Sequence, residues 1–325
     1  MDDVIKPNIR KYIIYAVAIF AVYGLLTHLL SIGVLNHFHR GLLIVICVNI
    51  MLAISLNLSA GFLGQLVLGH AAFMAIGAYS ASIFSIQMGF TSADSWALVI
   101  SLIFGGFVAA IFGVAIGIPA LRLRGDYLAI ITLGFGQIVQ SIVLNMRITG
   151  GPMGLTGIPR MTNFTIAFFA MVITIAILVC LIRSRHGRAM IAIREDEIAA
   201  EASGISTTYY KIFGFTIAAF FAGIAGGILA HHITILMPAD SGIDRSIELL
   251  VIVVLGGMGS FTGSVVAAVV LTLLPELLRE FAMYRMLIYS IVLIAMMIYR
   301  PQGLMGTYEF SLQNVLSKLT GGRLK

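Results

Sequence analysis

The chain of 325 residues is 60% hydrophobic and only 10% charged, whereas soluble domains carry about 25% charged residues. This composition excludes an ordinary soluble globular protein, and the excess apolar surface is expected to face lipid. The formal net charge of +6 does not indicate nucleic-acid binding, because the basic residues are scattered between apolar segments and do not gather on one face. We therefore predict an all-α integral membrane protein in which residues 1–325 form a single transmembrane domain.

Apolar segments long enough to cross a bilayer recur along the chain. A helix needs about 20 apolar residues to cross a hydrocarbon core of roughly 30 Å. The first segment is interpreted as a span and not as a signal peptide, because no A-x-A-like cleavage site follows it. In chain order, the apolar segments and their Gly, Pro and charged breaks predict spans at about 12–35, 41–59, 67–88, 96–118, 127–145, 164–182, 211–232 and 283–299.

A glycine-rich break interrupts the apolar stretch from Ser246 to Leu278, which is too long for one span. Each glycine weakens a helix by about 1 kcal/mol relative to Ala. Irregular backbone at membrane depth is tolerated only inside protein or beside a water-filled cavity. We therefore predict a re-entrant half-helix at 246–255 that enters from outside, and a returning helix at about 264–279. The glycines of this break are Gly256, Gly257, Gly259 and Gly263.

A second break lies earlier in the chain, between the predicted second and third spans. It contains Gly61 and Gly64 within Ala60-Gly-Phe-Leu-Gly-Gln65. Interrupted segments at corresponding places in two halves of a chain are typical of transporters that line a pathway with them. Apart from the glycines the two breaks share little sequence, so an internal repeat is left open.

The distribution of basic residues predicts the topology. If the N-terminus lies inside, fourteen of the twenty Lys and Arg residues fall on the inner side, which is the asymmetry of the positive-inside rule. Threading 246–279 through the membrane as one span would place the basic C-terminal tail outside, so the count also favours the re-entrant interpretation. Both termini and the segment between the sixth and seventh spans are predicted to be cytoplasmic.

That cytoplasmic segment is predicted to contain a short helix. Gly187 and Gly204 bracket strong helix formers from Ala189 to Ala202. A face that mixes Ile with carboxylates favours a groove on another protein over a lipid surface, although a solvated connecting helix is an equal alternative on spacing alone. The predicted face consists of Ile191, Glu195, Ile198 and Ala202.

Several motifs, in order and over roughly residues 40 to 305, resemble a known family. They resemble the LivM-like branch of the branched-chain amino acid ABC transporter permease family. Gln137 departs from the pattern, because an acidic residue is expected after Leu-Gly-Phe-Gly. The motifs are Asp126-Tyr-Leu-Ala-Ile-Ile-Thr-Leu-Gly-Phe-Gly136, Thr149-Gly-Gly-Pro-Met-Gly-Leu-Thr-Gly-Ile-Pro159, Gly187-Arg-Ala-Met-Ile-Ala-Ile-Arg-Glu-Asp-Glu-Ile-Ala-Ala-Glu-Ala-Ser-Gly-Ile205, Glu248-Leu-Leu, Leu255-Gly-Gly-Met-Gly-Ser260 and Tyr299-Arg-Pro-Gln-Gly-Leu304.

The resemblance implies an ABC importer permease fold of about ten transmembrane helices, including broken or re-entrant segments, with a cytoplasmic coupling helix at about 187–204. It implies a multi-pass protein of a prokaryotic inner (cytoplasmic) membrane. Besides membrane lipid, the implied partners are a second related permease in a heterodimer, two cytoplasmic ATPase subunits and an external solute-binding protein. By the same resemblance, the residues that contact the ATPase are Arg194, Glu195, Asp196, Glu197 and Glu201.

The sequence contains no G-x-x-x-x-G-K-[ST] phosphate loop. We therefore expect that the chain is not an enzyme, binds no cofactor itself and depends on ATP-Mg held by the ATPase subunits. The pair His231-His232 could suggest a metal ion, but it lacks carboxylate or Cys partners at ligand spacing, so no metal site is predicted.

Polar side chains inside the predicted spans are candidates for the translocation path, because such groups are costly in lipid. An amide-rich route suits a zwitterionic solute, since it offers donors and acceptors without trapping charge. At each position an interhelical hydrogen bond is the alternative. The candidates are Asn57, Gln65, His70, Gln137, Gln140 and Asn145.

These observations predict a permease subunit of an ATP-driven importer for the branched-chain amino acids Leu, Ile and Val. Urea, amides and other amino acids are alternative substrates, because the external binding protein supplies most of the selectivity in such systems. An ion-coupled secondary carrier is disfavoured, since it would place ionisable groups in mid-span and most acids here lie in loops or at span ends. An intramembrane enzyme is disfavoured because neither H-E-x-x-H nor G-x-S-x-G occurs.

Overall fold

The computed structural model describes residues 9–32, 36–92, 94–121 and 126–278, together with isolated positions between 284 and 306. The predicted eighth span, at 283–299, and the two chain ends lie largely outside the described residues. Within these limits the structure is helical and contains no β-strand, apart from an isolated bridge between Leu155 and Leu236. The predicted all-α class is confirmed for this part of the chain.

The helices of the described residues agree with the predicted spans to within four residues at each end. Their bounds are α1 Ile9–Ser31, α2 His37–Asn57, α3 His70–Gln87, α4 Ser95–Ala120, α5 Asp126–Asn145, α6 Phe164–Arg183, α7 Arg185–Glu195, α8 Glu197–Ala202, α9 Thr207–Ile233, α10 Ile243–Gly256 and α11 Phe261–Leu277.

Several of these helices are long and apolar enough to cross a bilayer. About 20 residues are needed to cross the hydrocarbon core, and the segments are helical because every backbone N–H and C=O group must be bonded within the segment when no water is available. Two shorter apolar helices, Val17–Ser31 and Phe261–Leu277, accompany them. The five segments of the described chain that meet the length and composition of a membrane span are Phe38–Phe62, Trp96–Ala120, Tyr127–Asn145, Phe164–Arg183 and Thr207–Ile233.

The chain divides into two compact units, of which the larger is Leu43–Tyr308. Helix α1 belongs to the other unit and exposes Val17, Phe20 and Leu25, each by about three-fifths of its surface. A helix that exposes large apolar side chains in this way is suited to lipid. The larger unit contains α2 from Leu43 onward, the other described helices and the core.

Helices α3, α4 and α9 form the tightest packing of the larger unit. A Cβ atom built on Gly77 would lie 2.1 Å from the Cα atom of Gly223, and one built on Gly105 would lie 2.6 Å from the carbonyl oxygen of Gly77. A Cβ atom on Gly226 would lie 2.0 Å from the carbonyl oxygen of Met74. Small residues allow helix backbones to approach closely in a membrane, so these glycines set the spacing of the three helices.

Both predicted glycine breaks end a helix. After α2 the backbone forms a π-helical segment, Leu58–Phe62, and continues without regular structure to the start of α3. Helices α10 and α11 are separated by four residues, in which Gly257 and Gly259 have φ angles of +107° and +87°. These values lie in the left-handed region that favours glycine. Gly263 lies in the first turn of α11, so it is part of the returning helix and not of the break.

Candidate functional site

The two glycine breaks, far apart in sequence, contact each other. A Cβ atom built on Gly61 would lie 2.2 Å from the backbone nitrogen of Gly259. Beside this contact the rings of Phe62 and Phe261 pack with their centroids 4.5 Å apart. The π-helical segment and the break between α10 and α11 therefore cross at a point where their backbones are in contact. A side chain at Gly61 would not fit there. We refer to this contact of 58–62 with 257–260 as the helix crossing.

Asn57 joins the two sides of the helix crossing. Its Oδ1 accepts a hydrogen bond from the backbone N–H of Gly259 at 2.9 Å. Its Nδ2 donates to the carbonyl oxygen of Ser260 at 2.8 Å and to Oγ of Ser264 at 2.7 Å. Asn57 is completely buried, and buried backbone groups left unpaired at a break need such partners. The side chain thus replaces hydrogen bonds that a continuous helix would make.

Arg194, in the last turn of α7, also reaches the helix crossing. Its Nη1 donates to the carbonyl oxygen of Gly61 at 2.9 Å. A Cβ atom on Gly64 would lie 2.8 Å from Cγ of Arg194, and one on Gly259 would lie 2.9 Å from Nη1. The guanidinium group also pairs with Glu195. The structure therefore places one predicted coupling residue against three glycines of the predicted breaks.

The segment predicted as one helix from Ala189 to Ala202 is two helices, so this prediction is wrong. Asp196 separates α7 from α8 with an extended backbone at φ −156° and ψ 110°. Its Oδ1 accepts hydrogen bonds from the N–H groups of Ile198 at 2.9 Å and Ala199 at 3.0 Å. Asp is favoured at such N-cap positions because its carboxylate pairs N–H groups that lack helical partners. The Asp therefore starts a new helix instead of continuing α7.

The predicted contact face does not lie on one continuous helix, because the change of direction at Asp196 interrupts the helical spacing on which the face was based. Ile198 is 69% exposed and Ala202 is exposed, so the contact of this face with another protein stays a prediction. Gly187 is not a boundary but lies in the first turn of α7, where a Cβ atom would lie 2.1 Å from the carbonyl oxygen of Ile182. The residues that this segment does bury are Gly187, Met190, Ile193 and Ala200.

Two of the five predicted coupling residues bind parts of the chain outside this segment, and the other three are exposed. Arg194 binds the helix crossing, and Glu197 lies 2.8 Å from Nζ of Lys211 at the start of α9. The Lys211 side chain is only 8% exposed, so this ion pair attaches α8 to α9. Glu195, Asp196 and Glu201 are exposed and are available to a partner.

Three of the predicted path residues are buried among the helices. Asn57 belongs to the helix crossing, and Nε2 of His70 lies 2.9 Å from Oγ of Ser55. Gln65 is 6% exposed, and within the described part of the chain its Oε1 has no hydrogen-bond partner. Asn57 and His70 make hydrogen bonds between helices, the alternative that the sequence left open, whereas the role of Gln65 stays a prediction.

The remaining path candidates lie on α5 and are more accessible. Gln137 and Gln140 are half-buried and share a hydrogen bond of 3.3 Å between Nε2 and Oε1. Gln140 lies beside the start of α10, because a Cβ atom on Gly242 would lie 3.3 Å from its Nε2. Asn145 is exposed and donates to the carbonyl oxygen of Ser141 at 2.7 Å.

A polar cluster that the sequence did not predict connects α2, α10 and α11. Oδ1 of Asn49 accepts a hydrogen bond from Nη2 of Arg245 at 2.6 Å, and Nδ2 of Asn49 donates to Oγ1 of Thr272 at 2.9 Å. Nη1 of Arg245 donates to Oε2 of Glu248 at 2.6 Å. The spacing of Arg245 and Glu248, three residues apart, was a readable sign of a helical ion pair. Arg245 precedes the half-helix predicted at 246–255 but lies inside α10.

His231 packs three helices together. Its Nε2 lies 2.8 Å from Oγ of Ser85, its Nδ1 lies 2.8 Å from the carbonyl oxygen of Gly227, and Ser85 donates to Ser101. Interhelical hydrogen bonds of this kind commonly hold helices together in membranes. Across the described ranges, no group of three or more His, Cys, Asp or Glu residues is placed to hold a metal ion.

Apolar span-length helices, broken segments and a helix crossing together define a helical membrane protein of the kind that builds transport pathways. Residues 39–299 match the family described as "Branched-chain amino acid transport system / permease component", and the chain belongs to this family. The resemblance found in the motifs is thereby confirmed. The family consists of transport permeases and not of enzymes.

The chain is similar to several characterised permeases. It is 39% identical over 293 residues to the high-affinity branched-chain amino acid transport system permease protein LivM of Salmonella typhimurium, which covers 79% of this chain and 68% of the relative. The corresponding LivM of Escherichia coli is 38% identical with the same coverage. The nucleoside ABC transporter permease protein NupC of Lactococcus lactis is 23% identical over 203 residues, 53% of this chain and 60% of the relative. No solved structure matches the chain significantly.

Proposed function

We propose that the chain is the transmembrane permease subunit of an ATP-driven importer that carries Leu, Ile and Val across a prokaryotic inner membrane. The family membership and two LivM relatives at 38% and 39% identity support this substrate class. The nucleoside permease is more distant, at 23% identity, so it is weaker support for nucleosides as the cargo. Urea, amides and other amino acids are the alternative cargo.

The proposed assembly follows the family pattern. The chain has about ten transmembrane helices with both termini in the cytoplasm. It pairs with a related permease, for which the similarity to LivH of Salmonella typhimurium, 25% identical over 287 residues, is the support. Two ATPase subunits supply hydrolysis of ATP-Mg, and an external solute-binding protein delivers the cargo.

The single observation that carries the mechanism is the hydrogen bond of Arg194 to the helix crossing. In the proposed mechanism, α7 and α8 lie in the cytoplasm and dock on an ATPase through the exposed carboxylates Glu195, Asp196 and Glu201. A movement of α7 is then transmitted directly to the backbone of Gly61 and to the break at Gly259. Packed segments with two arrangements can carry such coupling between distant sites.

The test is reconstitution of the chain with its second permease, ATPases and binding protein in proteoliposomes. We expect uptake of radiolabelled leucine that requires both ATP inside and binding protein outside. The matched control is the same complex with the phosphate-loop Lys of the ATPase changed to Ala, which should take up nothing. Uptake that persists without ATP, or that follows an imposed ion gradient, would overturn the proposal in favour of a secondary carrier. Excess adenosine, urea or isobutyramide as competitors would identify the alternative cargo.

A further inference from the structure

The ion pair between Arg245 and Glu248 on α10 lies beside a span-length apolar segment of the chain. Asn49, which binds Arg245, is near the middle of the apolar segment Phe38–Phe62. Arg245 itself is eleven residues before the end of α10 at Gly256. At a rise of about 1.5 Å per residue, this places Arg245 about 16 Å from the glycine break.

Helix α11 gives a matching distance from the glycine break. Thr272, the other partner of Asn49, lies eleven residues after the start of α11 at Phe261, which is again about 16 Å from the break. The break itself contacts Arg194 of the polar α7. Asn49, the partner of both groups, is near the middle of Phe38–Phe62, so Arg245 and Thr272 lie beside the middle of a segment long enough to cross the membrane.

The charged groups of this pair are not enclosed by the chain. The Glu248 side chain is 45% exposed and that of Arg245 is 19% exposed. Charged groups facing hydrocarbon at mid-depth are costly, and they are found against a protein interior or a water-filled cavity. The open side of Glu248 therefore faces a polar space or a second protein, and not lipid.

The guanidinium group of Arg245 is held in place by residues on its buried side. Asn49 is 3% exposed and fixes Nη2 of Arg245 through Oδ1, while Thr272 fixes the Asn49 amide. Gln140 lies next to Gly242, at the start of the same helix. A fixed cation, a carboxylate with an open face and neighbouring amides form a polar surface that bears both signs of charge.

We propose that Arg245 and Glu248 bind the zwitterionic backbone of an α-amino acid during its passage through the membrane. This inference rests on the proposed function and names the residues that contact its cargo. The guanidinium group binds the cargo carboxylate in the bidentate manner that suits arginine, and the Glu248 carboxylate binds the cargo ammonium group. Since the pair has no net charge, it recognises both ends of the solute without retaining an ion of one sign.

The experiment uses the complete reconstituted transporter with Glu248→Gln and Arg245→Gln, and with the charge-retaining variants Glu248→Asp and Arg245→Lys. Asp244→Asn is the matched control, because Asp244 is exposed in the same helical turn. Three quantities are measured: recovery of the second permease, ATP hydrolysis stimulated by leucine-loaded binding protein, and leucine taken up per ATP hydrolysed.

We expect Glu248→Gln and Arg245→Gln to assemble and hydrolyse ATP normally. Their leucine uptake per ATP should fall about tenfold or more, because each change removes a charge-assisted hydrogen bond to the cargo. The charge-retaining variants should recover part of the uptake, and Asp244→Asn should be unchanged. Unchanged uptake in both Gln variants overturns the inference. Loss of the second permease overturns it too, because the pair would then be a subunit contact. If the wild-type complex takes up no leucine, the proposed function fails and this inference with it, which differs from a defect confined to the variants.

Discussion

Nη1 of Arg194 donates a hydrogen bond of 2.9 Å to the carbonyl oxygen of Gly61. The bond connects the short polar helix α7 to the first glycine break. The Arg194 side chain is 30% exposed, so it is partly accessible to solvent while its Nη1 lies against the helix crossing. A residue in this position is affected by a partner that binds α7 and by any change in the helix crossing.

Replacing Arg194 with Ala is expected to separate ATP hydrolysis from transport. The change removes a charge-assisted hydrogen bond to a backbone carbonyl, which typically contributes about 1.5–3 kcal/mol, but it leaves the exposed carboxylates of the segment in place. Leucine uptake per ATP hydrolysed should fall, whereas the ATPase subunits should still co-purify. Arg188→Ala is the control, since Arg188 is an exposed residue of the same helix. If Arg194→Ala and Arg188→Ala took up the same amount of leucine per ATP hydrolysed, this role would be contradicted.

Replacing Asn57 with Ala is expected to destabilise the membrane domain. It removes the acceptor of the Gly259 N–H and one of the donors to the carbonyl oxygen of Ser260, and a buried group left unpaired costs about 1–3 kcal/mol. Thermal unfolding in detergent should show a melting temperature lower by several degrees. Asn145→Ala, at an exposed position, should melt like the wild type. An unaltered melting temperature for Asn57→Ala would mean that the helix crossing does not depend on this amide.

The acidic residues of α8 are expected to respond differently to charge reversal. Glu201→Lys should weaken ATPase co-purification without affecting stability, because Glu201 is exposed and a like charge at a contact can cost several kcal/mol. Glu197→Lys should also lower stability, because it places a second cation against Lys211, whose side chain is 8% exposed. Pull-down of the ATPase and thermal unfolding, measured on the same preparations, distinguish the two effects. Normal ATPase binding and stimulated hydrolysis in Glu201→Lys would show that α8 only connects α7 to α9 and does not contact the ATPase.

Replacing Gly257 with Leu is expected to abolish stable assembly. Gly257 has a φ angle of +107°, and a Cβ atom there would lie 2.4 Å from the carbonyl oxygen of Gly306. An L-residue is strained in this conformation, and the adjacent backbone cannot move away as a flexible side chain could. Gly134→Leu is the control, because a Cβ atom on Gly134 has no neighbour within 4 Å. The measurements are the yield of folded complex and its leucine uptake. A normal complex carrying Gly257→Leu would show that the break tolerates a side chain.

The class of protein, the helix positions and the family followed from the sequence alone. Hydrocarbon imposes a minimum apolar length on every span, so the first seven predicted spans coincide closely with α1 to α6 and α9. Glycines on either side of Met258 predicted an interruption for a local reason, their weak helix propensity and their tolerance of positive φ. The motifs around these elements indicated the permease family because they occur in order along the chain.

The tertiary structure decided which of these residues act together. Asn57 and Gly259, and likewise Asn49 and Arg245, are remote in sequence, and no periodicity records that they meet. The position of a charge depends equally on its surroundings: Arg245 precedes the half-helix predicted at 246–255, but its hydrogen bond to Asn49 places it beside the middle of Phe38–Phe62. At Asp196, two local tendencies competed, continuation of a helix and capping of a new one. The capping hydrogen bonds to Ile198 and Ala199 prevailed, since they pair backbone N–H groups at the start of α8, while the Lys211 ion pair attaches that helix to α9.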